Sequence, residues 1–255
     1  MRVISMVPSL TETLLSAQDS FVVVGRTRFC VHPQAKVATL PVVGGTKDID
    51  WSAVDQLKPD LIIFDQEENP KKFATECKYP WMALHVVGIE SVAPQFLMLA
   101  EGLQSEGIKE LAKRWQRVEE APPARWHFDL VPGELCAWSS ARHFDRNFDR
   151  LVYVIWSKPW MTVSSDTFIG SVLKKLGAES YLQKFEKKYP EFNISDLETE
   201  RTFFLFSSEP YPFAKKEDEI LALNLPGASL VDGELYSWFG LRSLLFLEKA
   251  LGLTR

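Results

Sequence analysis

The sequence predicts an α/β protein of two lobes, each a parallel sheet flanked by helices, with a single long helix joining them. Three observations lead there. Short apolar runs alternate with amphipathic stretches of helical length in both halves of the chain, which is the spacing of βα units. The run Leu61-Ile62-Ile63-Phe64 is apolar at every position, as expected of a strand covered on both faces. Finally, the pattern halts at Pro122-Pro123 after one long amphipathic stretch and then begins again.

In chain order, residues 2–7 read as a buried strand. Ser9-Leu10-Thr11-Glu12 reads as a capping box, with Ser9 as N-cap and Glu12 reaching back, opening a helix to about residue 17. A second strand covers 21–24, and the Gly- and Pro-bearing stretch 25–50 is mostly loop. Asp50 caps a helix over 51–57 that Lys58-Pro59 stops. A strand over 60–64, a helix over 70–78, a strand over 81–87 and a helix over 91–103 with Pro94 in its first turn complete the first lobe. The helix from Ser105 to about Glu120 carries Ile108, Leu111, Ala112, Trp115 and Val118 on one stripe. The predicted division is therefore 1–104, a connecting helix over 105–121, and 122–255.

Beyond it, residues 124–149 show no clear period. Strands follow at 151–156, 201–206 and 229–231. Asp166 or Thr167 caps a helix that stops near Gly177, another helix lies near 216–223, and 237–251 forms a closing helix. Residues 60–73 (DLIIFDQEENPKKF) and 202–216 (TFFLFSSEPYPFAKK) echo each other: an apolar strand, an acidic loop with proline, then a basic pair.

Composition narrows the function. With 255 residues, 46% of them apolar, the chain can bury a core without disulfides or a structural metal. A net charge of −5 argues against nucleic acid, whose phosphates call for a basic face. Cys30, Cys77 and Cys136 are odd in number and widely spaced, which suits a reducing compartment rather than a disulfide framework. The opening apolar run is too short for a secretory signal, so the sequence as written reads as a cytoplasmic monomer, and as periplasmic if a leader has been removed.

Several segments resemble one known family. RVISMVPSLTETL (2–14), VVGRTRFCVHP (23–33), VVGGTKDIDWSAVDQLKPDLIIF (42–64), IWSKPWMTVSSDTFIGSVLKKLGA (155–178) and LVDGELYSWFG (230–240) are similar to the helical-backbone substrate-binding proteins of metal-chelate uptake. That family includes cobalamin-binding and iron–siderophore-binding proteins, and the likeness is strongest to its cobalamin-binding-like branch. The resemblance implies a clamshell of two Rossmann-like lobes holding a small-molecule metal chelate between them, with no tightly bound cofactor. It also implies docking to an ABC permease through an acidic residue after the strand at 60–64. Lys71 and Lys72 stand at the matching positions, and their charge opposes such docking.

Open α/β sheets bind ligands beyond the carboxyl ends of their strands, which selects the candidate contacts. In the first half these are Ser9, Arg26, Arg28, Phe29, Glu67, Glu68 and Asn69. Cys30 and His32, two apart on a loop, form a candidate metal pair, though two ligands close no site and a buried structural thiol is the competing reading. In the second half, Lys158, Trp160, Ser208, Glu209, Tyr211 and Phe213 are candidates, followed by Trp238 and Arg242. Trp160, Tyr211 and Phe213 read as surfaces on which a large flat ligand stacks, with Pro159 fixing the turn that presents Trp160 as a platform. Trp156 and Trp238 fit equally well as core, and Arg242 equally well as a structural partner of Asp232.

Glu67, Glu68 and Glu209 read as solvated rim residues rather than an acid–base pair. No GxSxG, HExxH, CxxC or phosphate-loop spacing is present, so no catalytic residues are assigned. The expected function is a solute-binding protein for a cobalamin- or siderophore-type chelate, which should bind more tightly than free divalent metal. A cytoplasmic chelate sensor or carrier that no longer docks a transporter, and an enzyme acting on a corrinoid or tetrapyrrole, are the alternatives.

Overall fold

The structure is a computed structural model. It describes residues 1–17, 19–127, 148–183 and 185–254, together with the backbone of 135–139. By its contacts the chain divides into two compact units. One is Met1–Glu120 with Trp238–Leu244, and the other is Ala121–Ser237 with Leu245–Arg255.

The first unit is built on a four-stranded sheet in the order β2-β1-β3-β4, from β1 (Arg2–Ser5), β2 (Val22–Arg26), β3 (Leu61–Asp65) and β4 (Trp81–Leu84). All its pairings are parallel. Every residue of β3 is buried, as its unbroken apolar run requires of a strand covered on both faces. The strand begins one residue later than expected because Asp60 is used elsewhere: its carboxylate accepts the Arg2 backbone N–H at 2.6 Å. Ile4, Met6, Val43, Val54, Ile62, Phe64 and Phe73 pack as one core cluster.

Two helix starts differ in outcome. Helix α3 (Trp51–Leu57), which follows the short α2 (Gln34–Val37), is capped as expected. The Asp50 side chain accepts from Ser52 and Ala53 N–H at 3.0 and 3.1 Å. Helix α1 (Pro8–Ser16) corrects the expected capping box, because it starts with Pro8 in its first turn and Val7 as cap, without a side-chain bond. Ser9 lies buried inside it, and Glu12 pairs instead with Arg242.

Helix α4 (Lys71–Glu76) follows β3. Helix α5 (Ile89–Leu103) begins earlier than expected, at Gly88, where Ser91 Oγ accepts the Val87 and Gly88 N–H groups. Pro94 therefore lies inside the helix rather than in its first turn. Helix α6 (Glu106–Glu120) buries the expected stripe of Ile108, Leu111, Ala112, Trp115 and Val118. It packs along α5 and groups with the first unit.

The second unit has a six-stranded sheet in the order β5-β10-β9-β6-β7-β8, from β5 (Leu135–Ser139), β6 (Arg150–Trp156), β7 (Trp160–Thr162), β8 (Glu191–Phe192), β9 (Thr202–Ser207) and β10 (Ala228–Val231). The strands β10, β9 and β6 run parallel, while β5, β7 and β8 pair antiparallel. The mixed character has a simple cause. The connection 157–159 is far too short for a parallel crossover, so β7 folds straight back on β6. Of the stretch 124–149, residues 128–134 and 140–147 lie outside the described residues.

Thr167 rather than Asp166 caps α7 (Phe168–Lys175), its hydroxyl accepting Gly170 N–H at 3.0 Å. Helix α8 is Glu217–Leu221. The expected closing helix over 237–251 begins later, as α10 (Leu241–Ala250), after a separate short helix α9 (Gly233–Ser237). Gly240 lies just before it. Any Cβ there would clash with Thr13 Oγ1 and the Ser9 carbonyl oxygen, so only glycine lets the chain pass this close to α1. This places Trp238–Leu244 with the first unit, whereas the sequence suggested 122–255 as one block.

Replacing Asp50 by alanine removes the α3 cap and should cost about 1 kcal/mol, read as a lowered urea midpoint with unchanged slope.

Candidate functional site

In the first unit β2 and β3 flank β1, so the strand order reverses between β1 and β3, the position where open α/β sheets bind ligands. The loop after β3 is tied down tightly. Asp65 Oδ1 accepts the N–H groups of Glu67 and Glu68, both at 2.9 Å, closing a turn. Asn69 is buried; its Oδ1 accepts Asp65 N–H, and its Nδ2 donates to the Met6 and Thr46 carbonyls at 3.2 and 3.0 Å. Lys47 Nζ donates to the Glu67 and Glu68 carbonyls. Asn69 is thus a brace holding three segments together, while the Glu67 and Glu68 side chains are exposed.

Asp65 itself is 2% exposed, and its second carboxylate oxygen is buried without a hydrogen-bond partner. Burial pushes its carboxyl up to about 6, against the two backbone N–H groups that hold it down.

The loop after β2 sorts the other candidates. Arg26 donates to the carbonyls of Val37, Thr27 and Cys30, so it satisfies irregular backbone rather than facing outward. Arg28 forms a bidentate pair with Asp48 at 2.8 and 2.6 Å, in water, with its guanidinium 5.8 Å from the ring of the exposed Phe29. Such a solvated pair stabilises little and is open to competition from a ligand anion.

Cys30 is fully buried between the hydroxyls of Thr11 and Thr27 at 3.0 and 3.1 Å, and burial pushes its thiol up. These contacts fit the competing reading of a buried structural thiol. Among the described residues no three His, Cys, Asp or Glu side chains converge on a point that could hold a metal. His32 instead meets the Trp238 ring edge-on at 5.9 Å. The guanidinium of Arg242 lies 5.8 Å from the same ring and pairs with both Glu12 oxygens at 3.0 and 2.8 Å, so its partner is Glu12 rather than Asp232. Ser9 is buried within α1, where its carbonyl accepts the Thr13 hydroxyl.

At the carboxyl ends of β6, β9 and β10 in the second unit, Lys158 is exposed and held at φ 66, a left-handed conformation unusual for a side chain of this kind. Ser208 Oγ accepts Gly233 N–H at 3.0 Å, and the Glu209 backbone is bound by the Ser207 hydroxyl. The aromatics form a connected series. Trp156 meets Tyr211 edge-on at 5.3 Å, Tyr211 meets Phe213 at 4.6 Å, and Phe213 stacks on Trp160 at 6.2 Å with 8° between planes.

Phe213 is 1% exposed and belongs to the core with Phe206, which corrects its reading as a ligand surface. Trp160 is half-buried against the same cluster, so packing claims the face that Pro159 was expected to present. Trp156 departs from a core assignment in the other direction, at 40% exposed. Lys47 and Asp48 were not among the sequence candidates, and neither leaves a local signal, because the partners that hold them lie about 20 residues away.

Two outcomes test this geometry. Asp65 should lower stability as pH rises, because its raised folded value favours the protonated form; that contribution is complete below about pH 4 and is lost through pH 6. Between pH 4 and 7.5 the wild type should lose ~2 kcal/mol relative to Asp65→Asn in denaturant titrations. Trp160→Ala should cost ~3 kcal/mol and lower the melting temperature by several degrees, as for removal of a packed aromatic.

No family model matches the chain, and no curated protein sequence does. Solved structures do match. A periplasmic heme binding protein from Pseudomonas aeruginosa superposes at TM-score 0.67 with 16% identity, covering 100% of this chain and 94% of that one. The periplasmic vitamin B12 binding protein BtuF of Vibrio cholerae gives 0.64 with 17% identity over 98% and 95%. The siderophore binding protein FhuD of Vibrio cholerae, bound to Fe3+–Desferal, gives 0.66 with 19% identity over 98% and 96%. Among the described residues no helix is long and apolar enough to cross a membrane. From end to end, this chain has the fold that these periplasmic chelate-binding proteins share.

Proposed function

We propose that this chain is a solute-binding protein for a large metal chelate of the cobalamin, heme or siderophore kind, related to those that serve ABC transporters. The observation that carries the reading is the structural match. It extends over at least 98% of this chain in binding proteins for vitamin B12, heme and a ferric siderophore. A fold alone does not assign a ligand. The strand ends add chemistry that suits the class, since exposed aromatic rings and guanidinium or ammonium groups fit a broad ligand with a polar rim.

The first unit offers Phe29, Arg28 and the Trp238–Arg242 pair for this role, and the second offers Lys158 and Tyr211. The chelate is cargo and not a resident cofactor, and no residue is given a catalytic role. Intact chelate should bind in preference to free divalent metal, because aromatic rings outnumber candidate metal ligands among the residues at the strand ends.

Titration with cyanocobalamin, hemin, ferric desferrioxamine and zinc, followed calorimetrically, tests this. At least one chelate should bind with a dissociation constant of about 1 μM or tighter, some −8 kcal/mol, with zinc far weaker. Tight zinc binding without any chelate binding would reverse the assignment.

A further inference from the structure

We infer that the indole of Trp156 is a stacking platform for the flat ring system of the bound chelate. This rests on the binding function proposed above and decides, for Trp156, between the core role and the ligand-facing role that the residue pattern left open. Trp156 is the last residue of β6, at the carboxyl end of the parallel trio β10, β9 and β6. Along β6 it follows Val152 and Val154, alternate residues that are both buried in the core cluster with Phe206 and Phe213. The pairing with β7 shifts register between Val154 and Trp156, and beyond that irregularity the ring stands 40% exposed.

A single exposed apolar side chain needs no explanation by itself. The support beneath this one does. Tyr211 holds the indole edge-on at 5.3 Å and rests on Phe213 at 4.6 Å. Phe213 is fixed in turn by Trp160 at 6.2 Å and by Phe206 at 5.2 Å, and Phe206 is fully buried. The exposed ring is thus joined to the core through a continuous series of aromatic contacts. A platform fixed in this way loses little rotamer freedom when a ligand stacks on it, which is what preorganisation contributes to affinity.

The occupant that fits is a conjugated macrocycle with a broad π-face, such as a porphyrin or corrin. A hydroxamate siderophore offers no such face.

The test compares Trp156→Ala, Trp156→Leu and Trp156→Phe with the wild type, using hemin, cyanocobalamin and ferric desferrioxamine as probes. Affinity is followed by the absorbance of each chelate, and stability by melting temperature. For a macrocycle that the wild type binds, Ala and Leu should weaken affinity ~10-fold or more, Phe should restore most of it, and melting should shift less than in Trp160→Ala, since the ring is 40% exposed. Unchanged macrocycle affinity in Trp156→Ala overturns the platform while leaving the binding function intact. A wild type that binds only ferric desferrioxamine also overturns it. A large fall in melting temperature together with an affinity loss that Phe does not restore shows a packing role instead, and a wild type that binds none of the probes overturns both readings.

Discussion

A strand covered on both faces has little room for polar side chains between its ends, and that constraint places much of the polar chemistry of this molecule. In β3 and β9 every residue is buried, so polar chemistry is pushed to the carboxyl ends. Asp65 closes β3 and Ser207 closes β9, and each turns its side chain onto the backbone two residues ahead, at Glu67 and Glu209 respectively. The two strand-and-loop segments that echo each other in sequence therefore use the same device, a side-chain-closed turn that presents an acidic residue. The two differ in one respect. Asp65 is a buried carboxylate with one oxygen unsatisfied, whereas the Ser207 hydroxyl also receives the Tyr153 hydroxyl at 3.0 Å.

Irregular backbone makes a second demand. The chain between β2 and α3 is largely loop, and its carbonyls need donors when no ladder supplies them. Arg26 donates to Val37, Thr27 and Cys30 and Asn69 to Thr46 within that stretch, while Asn69 also donates to Met6, and Lys47, from the loop itself, donates to Glu67 and Glu68 beyond β3. Charged and amide residues beside a candidate site are therefore not all available to a ligand. Arg28, whose partner Asp48 lies in water, remains available where Arg26 does not.

The aromatics divide on similar grounds. In the second unit, the depth of each ring relative to the sheet decides its role: Phe206 and Phe213 are core, Tyr211 and Trp160 are partly covered, and Trp156 stands outermost. In the first unit, Trp238 lies between a histidine edge and an arginine that a carboxylate holds in place. Both arrangements combine a rigid ring with nearby polar groups. A fold used for several chelates gives no information about which one such surfaces prefer.

Local sequence determined the class of fold, most strand and helix positions and the Asp50 cap, because each follows from periodicity or a short-range capping bond. It did not determine partners distant along the chain. Glu12 looks like a capping-box residue until Arg242, far along the chain, takes it, and the closing helix reads as starting at 237, whereas at Gly240 the chain is still passing against α1. Cys30 reads as a possible ligand until Thr11 and Thr27 enclose it, and Phe213 as a surface until Trp160 and Phe206 cover it. Burial and pairing between such remote segments are properties of the packed chain, and only the tertiary structure could decide them.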